Sequence, residues 1–229
     1  MMEIPELYLP GFELDLDSEK QLAFDVLLEK TKPGAYIDYQ LPFPKWQFLT
    51  YLCETRPVVL HGSQQPGISV VEPRQARDIR DFSNQRAIYA TTDGIWVIYF
   101  AILDRKNHPG ISLFNACFRY KDGDDQWSHP FYFFSISHAV RIQHPWIMGT
   151  IYILPRHSFI KEPNQQIMGA TVDFPHWVSS TPAEPLAKLL VGMEDFPFLS
   201  QIHGHDDALL EKLVKENPQG FPWPEALIS

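Results

Sequence analysis

Residues 56–63 read RPVVLHGS and set a histidine, a glycine and a serine at the end of a short β-branched run. Val58, Val59 and Leu60 favour a covered, pleated backbone, Pro57 suits a strand's first residue, and Gly62 permits a turn where a Cβ would clash. His61 then stands at a strand end beside exposed amides, where one ring nitrogen and close main-chain approach can hold a polar ligand. Downstream, Arg74, Arg77, Arg80 and Arg86 form the most basic stretch of an acidic chain. Charge runs are usually solvated faces. Guanidinium groups that follow a His-Gly-Ser turn are also where an anionic ligand could be clamped, and Arg74 is the best placed of the four.

Three other constellations carry less. His203-Gly204-His205-Asp206-Asp207 has the alternation that sets two imidazoles on one side of an extended chain beside carboxylates. No third ligand cluster accompanies it in the sequence, and no metal is assigned. Ser135 and Ser137 lie near His138, without the G-x-S-x-G turn that exposes a hydrolase nucleophile. Neither a P-loop nor a G-x-G-x-x-G fingerprint occurs.

Elements must position these groups, and composition bounds what they are. A chain of 229 residues, 45% hydrophobic and 14% aromatic, can bury a substantial core and reads as one domain. Twenty prolines argue against a helical bundle and for a mixture of short strands, turns and modest helices, an α+β class. The formal charge of -9 counts against broad binding to a phosphate backbone. Cys53 and Cys117 sit in apolar surroundings, as free thiols in a reducing compartment do. No uninterrupted apolar stretch reaches membrane-spanning length, and the start is acidic, unlike a secretory signal; a cytoplasmic protein without a membrane partner is expected.

Along the chain, Ser18 to Lys30 predicts a helix with a Ser18–Gln21 capping box, and Pro44 to Glu54 a second helix that Pro57 stops. Together they form an N-terminal layer over residues 1–55. A core over residues 56–200 begins with the central strand, a short strand from Ile68 to Val71, and a strand from Ala87 to Ala90. Residues 94–103 are apolar all round; Thr91 or Thr92 could cap a helix there, Asp93 would favour its positive end, and helix is chosen over strand. Ile111 to Leu154 is strand-rich, with Asp122-Gly123 a hairpin turn. Pro155 to Met168 reads as a polar loop, Gly169 to Val178 as an extended segment that Pro175 limits to an edge, and PAEPLAKLLVG as a loop with a last strand. Asp206 to Glu216 is an amphipathic helix closing residues 201–229, with Glu211 and Lys215 as a surface pair.

From about Pro57 to Phe196 these stretches resemble, in motif and order, the ADP-ribosyltransferase superfamily, which includes poly(ADP-ribose) polymerases, bacterial toxin and DNA-modifying transferases, and RNA 2'-phosphotransferases. His61, Gly62 and Ser63 match the strand-end motif that binds the nicotinamide half of NAD. The resemblance implies that His61 bonds a ribose hydroxyl and that the Gly62 main chain holds the carboxamide. IYATTDGIWVIYF is similar to the second motif, in which two rings sandwich nicotinamide; Tyr89 takes the first place and Phe100, or Tyr99, the second. Val97 or a neighbour replaces the small hydroxyl residue that the family carries on this helix. The family's third motif is a catalytic glutamate at the head of a late strand, where it stabilises the oxocarbenium character formed as nicotinamide leaves. Here that position holds His176. Glu184 lies in the loop beyond, and Glu162 precedes the strand.

The resemblance therefore implies a split antiparallel or mixed sheet, NAD as the nucleotide ligand, and a protein or nucleic-acid acceptor. Three readings follow. One is a mono-ADP-ribosyltransferase with His61, Gly62, Ser63, Arg74, Tyr89 and Phe100 at the cofactor and His176 or Glu184 in the chemistry. Another is an RNA 2'-phosphotransferase-like enzyme using His61, Arg74 and Arg86. The third is a non-catalytic domain that binds another nucleotide or a protein partner.

Overall fold

A computed structural model describes residues 4–76, 81–121, 123 and 126–228. Arg77, Arg80 and Asp122 lie outside the described residues. In chain order the elements are β1 (Leu9–Pro10), α1 (Ser18–Lys30), α2 (Lys45–Thr55), β2 (Val58–Ser63), β3 (Arg74–Gln75), β4 (Arg86–Thr91) and α3 (Gly94–Ile102). Then follow β5 (Leu113–Lys121), β6 (Phe131–Ser137), α4 (His138–Arg141), β7 (Gly149–Pro155), β8 (Ile160–Lys161), β9 (Gln165–Ile167), β10 (Ala170–Asp173) and β11 (His176–Ser179). The chain closes with β12 (Ala187–Val191), β13 (His203–His205), α5 (Asp207–Glu216) and β14 (Leu227–Ile228).

These strands form two seven-stranded sheets, so the architecture is mixed α and β. The first sheet runs β14-β13-β6-β5-β10-β9, with β1 on β6; the second runs β12-β7-β2-β4-β11-β8, with β3 on β4. The main core lies between them. It joins Cys117, Tyr132 and Phe134 of the first sheet to Leu60, Ile151 and Ile153 of the second through α2 and α3. A smaller cluster covers the outer face of the second sheet, where Val59, Ile88, Tyr152 and Leu154 meet Val71, Phe159 and Ala183. Among the described residues no helix is long and apolar enough to cross a membrane.

The helix over residues 94–102 forms despite its β-branched residues, because Asp93 caps it and both sheets bury it. The Asp93 carboxylate accepts from Ile95 N at 3.0 Å and Trp96 N at 2.7 Å, and the Tyr132 hydroxyl donates to its other oxygen at 2.6 Å. Burial pushes the Asp93 carboxyl above its usual range, and these donors oppose the shift. Strand β2 reaches α3 through Gly62: a Cβ there would lie 2.7 Å from the Val97 carbonyl oxygen. On the same helix, Gly149 of β7 leaves no room for a side chain against Ala101.

Several expected elements differ in the structure. Asp17, not Ser18, caps α1, its carboxylate accepting from Lys20 N at 2.8 Å. Residues 68–71 form no strand; Val71 makes one isolated bridge to Ala183, because Pro66-Gly67 and Pro73 bend the segment across the sheet's outer face. The expected loop after Pro155 contains β8 and β9. Pro175 does not limit one strand to an edge: it divides two strands, β10 in the first sheet and β11 in the second. Strand β12 is followed by β13 and β14, so the segment beyond residue 200 adds two strands to the first sheet as well as helix α5. Likewise β1 pairs with β6, which ties residues of the N-terminal layer into that sheet.

Candidate functional site

Strand β2 pairs with β7 along its whole length, Val58 to Ser63. Its other neighbour leaves early. Between β2 and β4 the only registered pair is Leu60 with Thr91, and from His61 onward the two strands diverge. The sheet is thus splayed at the His-Gly-Ser stretch. Across the gap the His61 ring donates its Nδ1–H to the Tyr89 carbonyl at 2.7 Å. A carbonyl only accepts, so the tautomer is fixed and Nε2 is left as the acceptor for a hydroxyl. Burial holds the His61 pKa below its ordinary value; the bond to Tyr89 opposes this, and the nearby Arg74 charge adds to it.

The outer face gathers the polar groups. His61 lies opposite Tyr152 in the ladder, their rings 6.3 Å apart, and Arg74 reaches Gln65 at 3.5 Å. Strand β3 brings Arg74 back beside this face by pairing it with Ala87. The Tyr152 hydroxyl donates to the Gln65 carbonyl and accepts from Ile68 N, which ties down the loop after Ser63. His61, Ser63 and Arg74, within thirteen positions of one another in sequence, therefore come together around one splayed strand end.

The inner face carries a second group. Leu60, Thr91 and His176 form one cross-strand row over β2, β4 and β11, so His176 lies two strands from Leu60, roughly 10 Å away. Its ring is stacked between Trp96 (5.6 Å, 28°) and Phe174 (5.9 Å, 25°). Glu162, just past β8, is buried and holds His176 Nδ1 at 2.9 Å, while its own amide donates to the His176 carbonyl. Gln165 donates to the carboxylate's other oxygen at 3.1 Å. The buried carboxylate that reaches the late-strand histidine is Glu162. Glu184 instead lines a separate depression of about 230 Å³ with Pro33, Gly34, Ser69, Pro185 and Lys188.

The remaining expected residues are held by separate partners. The Tyr89 hydroxyl donates to the Gln85 carbonyl at 2.7 Å and accepts from the Gln85 amide. Phe100 packs edge-on against Trp96 at 5.0 Å and Tyr99 at 5.2 Å, with Arg105 above it at 5.3 Å. Gly62 presents its bare Cα to α3, so its glycine identity serves helix packing as well as the strand end. Arg86, at the start of β4, is exposed.

Sequence reasoning missed one further network. The Ser135 hydroxyl bonds Nδ1 of His205, and Nε2 of that ring faces Asp207 and Ser112, each at 3.2 Å. The parallel pairing of β13 with β6 brings Ser135 and His205 together across 70 residues, which no local pattern signals. This ring is completely buried, and Phe114 meets its edge. Among the described residues no group of three or more His, Cys, Asp or Glu side chains is arranged to hold a metal ion. The chain matches no protein-family model, no curated protein and no solved structure.

Proposed function

We propose that the chain binds NAD at the splayed end of β2 and acts as an ADP-ribosyltransferase-like enzyme, breaking the bond between nicotinamide and ribose. The observation that carries this reading is the divergence of β2 and β4 at His61, with Arg74 returned to the same place. A neutral His61 with its Nδ1–H already engaged offers Nε2 to a ribose hydroxyl, and Arg74 offers a forked donor to the pyrophosphate. Nicotinamide would then reach toward Tyr89 and α3. Two free, buried cysteines support a reducing, cytoplasmic setting.

Titration calorimetry with NAD tests the reading, using the wild-type chain, His61→Ala and Arg74→Ala. Saturable binding that both variants weaken at least tenfold supports it. Absence of binding to the wild-type chain overturns it.

One observation favours a second reading, a nucleotide-binding domain without transfer activity. Helix α3 fills the space against Gly62, where the resemblance places the carboxamide, with Val97 facing the glycine. On that reading ADP-ribose binds as tightly as NAD, and bound NAD releases no nicotinamide.

A further inference from the structure

Two opposite charges line the depression beside β12 without meeting. Glu184 and Lys188 face the same space of about 230 Å³, and among the described residues neither forms an ion pair. The lysine is held elsewhere: its ammonium stands 5.7 Å from the centre of the Tyr36 ring, within reach of a cation–π contact. Donors on one head group and acceptor oxygens on the other are thus left open to the depression. Its walls are fixed before anything enters. Gly34 N donates to the Leu186 carbonyl at 2.8 Å and Lys188 N to the Ala35 carbonyl at 2.9 Å, which ties the segment after α1 to β12. Gly67 N donates to the Tyr36 hydroxyl at 2.9 Å, and Val71 bridges Ala183, so the wall that carries Ser69 is tied down at both ends. Gly34, at φ 72°, turns the chain at the rim in the left-handed region that a side chain would strain.

We propose that this depression binds a small zwitterion, a free α-amino acid with a short side chain, its carboxylate on Lys188 and its ammonium on Glu184. Electrostatics selects the class. A lone anion gains Lys188 but faces the Glu184 carboxylate, and a lone cation meets the reverse. A zwitterion satisfies both head groups at once through charge-assisted hydrogen bonds. One carboxylate does not hold a metal, and among the described residues no ligating group of three is present. Size selects the rest: the space lies below the roughly 300–1,000 Å³ of pockets for drug-sized ligands, and so excludes a dinucleotide. The site is separate from the proposed NAD site and does not depend on it. In the sheet, β7 stands between Lys188 and His61, which both pair with Tyr152, and the Tyr152 hydroxyl holds the Gln65–Ile68 loop over that strand.

The test is titration calorimetry of the full chain with L-alanine, L-serine, N-acetyl-L-alanine and L-alanine amide. It compares the wild-type chain with Glu184→Gln and Lys188→Met, each checked by thermal melting, and with Arg74→Ala. The expected result is saturable binding of alanine or serine that falls about tenfold or more when either charge is removed from the ligand or either matching side chain from the protein. Each variant should also lose its discrimination against one analogue alone: Glu184→Gln against N-acetyl-L-alanine, Lys188→Met against the amide. Arg74→Ala should leave alanine affinity unchanged. Absence of saturable binding of both amino acids to the wild-type chain overturns the proposal, as does binding that acetylation and amidation leave unaltered. Loss of alanine binding in Arg74→Ala overturns the separate site and places the ligand at the end of β2.

Discussion

Two histidine–carboxylate networks, one in each sheet, are built from the same side-chain types and differ in what can reach them. In the second sheet, Glu162 fixes Nδ1 of His176 at the point where β10 passes into β11, and 18% of that histidine side chain remains exposed. In the first sheet, Asp207 faces Nε2 of His205 and the Ser135 hydroxyl bonds Nδ1, with the ring wholly enclosed. The three residue types are those of a hydrolase relay, but the ring is turned round, with serine on Nδ1 and the carboxylate on Nε2. Yet Ser135 lies in the middle of β6, buried, with its amide bonded to the Asn115 side chain. The lesson is that connectivity alone does not make a catalytic group. An enclosed relay satisfies buried polar atoms and specifies strand pairing, whereas a network at the edge of a sheet junction can act on a ligand.

The sharpest way to break the comparison is to remove the enclosed ring. His205→Leu leaves the Ser135 hydroxyl without its histidine partner, and the expected cost is about 3 kcal/mol. Such a loss lowers the melting temperature by roughly 6–12 °C for a chain of this size. NAD affinity should not change. If His205→Leu abolished NAD binding while leaving the melting curve in place, the two networks would have to exchange roles.

Next in size, Gly62→Ala sets a methyl group against the Val97 carbonyl and lifts α3, which carries the Trp96 wall of the His176 stack. A destabilisation of about 2 kcal/mol is expected in urea unfolding, together with slower nicotinamide release. A neutral outcome would mean that α3 shifts freely on β2.

Acid should weaken the fold more gently. Burial holds the pKa values of His205, His61 and His203 below the ordinary histidine value, so all three are favoured neutral in the folded chain. Below pH of about 6.5 the unfolded chain binds the extra protons first, so stability present above that pH is lost as pH falls toward the folded values. Urea midpoints at pH 7.5 and 5.5 should differ in that sense, and His205→Gln should narrow the difference. A midpoint that rises on acidification would contradict the burial argument.

The smallest effect belongs to the surface of α5. Lys215 and Glu211 pair at 2.6 Å in full solvent exposure, and Lys215→Ala should leave the melting curve unchanged. A clear downward shift would instead tie this helix to the enclosed His205 network.

Local chemistry made much of this molecule legible. The β-branched run before His61, the apolar spacing of residues 18–30, and the asparagine-free acidic cap at Asp206 each announce an element, because each depends on a few neighbouring residues. The strand ending in His-Gly-Ser was readable on the same terms, whereas the return of Arg74 beside it depends on the pairing of β3 with β4. Glu162 was not. It reaches His176 only because β8 and β11 pair, and its own neighbours give no sign of that ladder. For the same reason the pairing of Ser135 with His205, rather than with the adjacent His138, was hidden. The segment 68–71 misled in the opposite direction: its β-prone residues lie between proline-bounded bends, and tertiary cover, not a ladder, satisfies them.

The sequence by itself determined the mixed α and β composition and most helix and strand positions, since these follow from short-range sterics, burial periodicity and turn chemistry. Only the tertiary structure decided that β4 leaves β2 at His61, that Pro175 carries the chain from one sheet to the other, and that Glu162 and not Glu184 meets His176. Those outcomes depend on which strands pair across tens of residues, a choice made by the packing of two sheets around α3 and written in no single stretch of the chain.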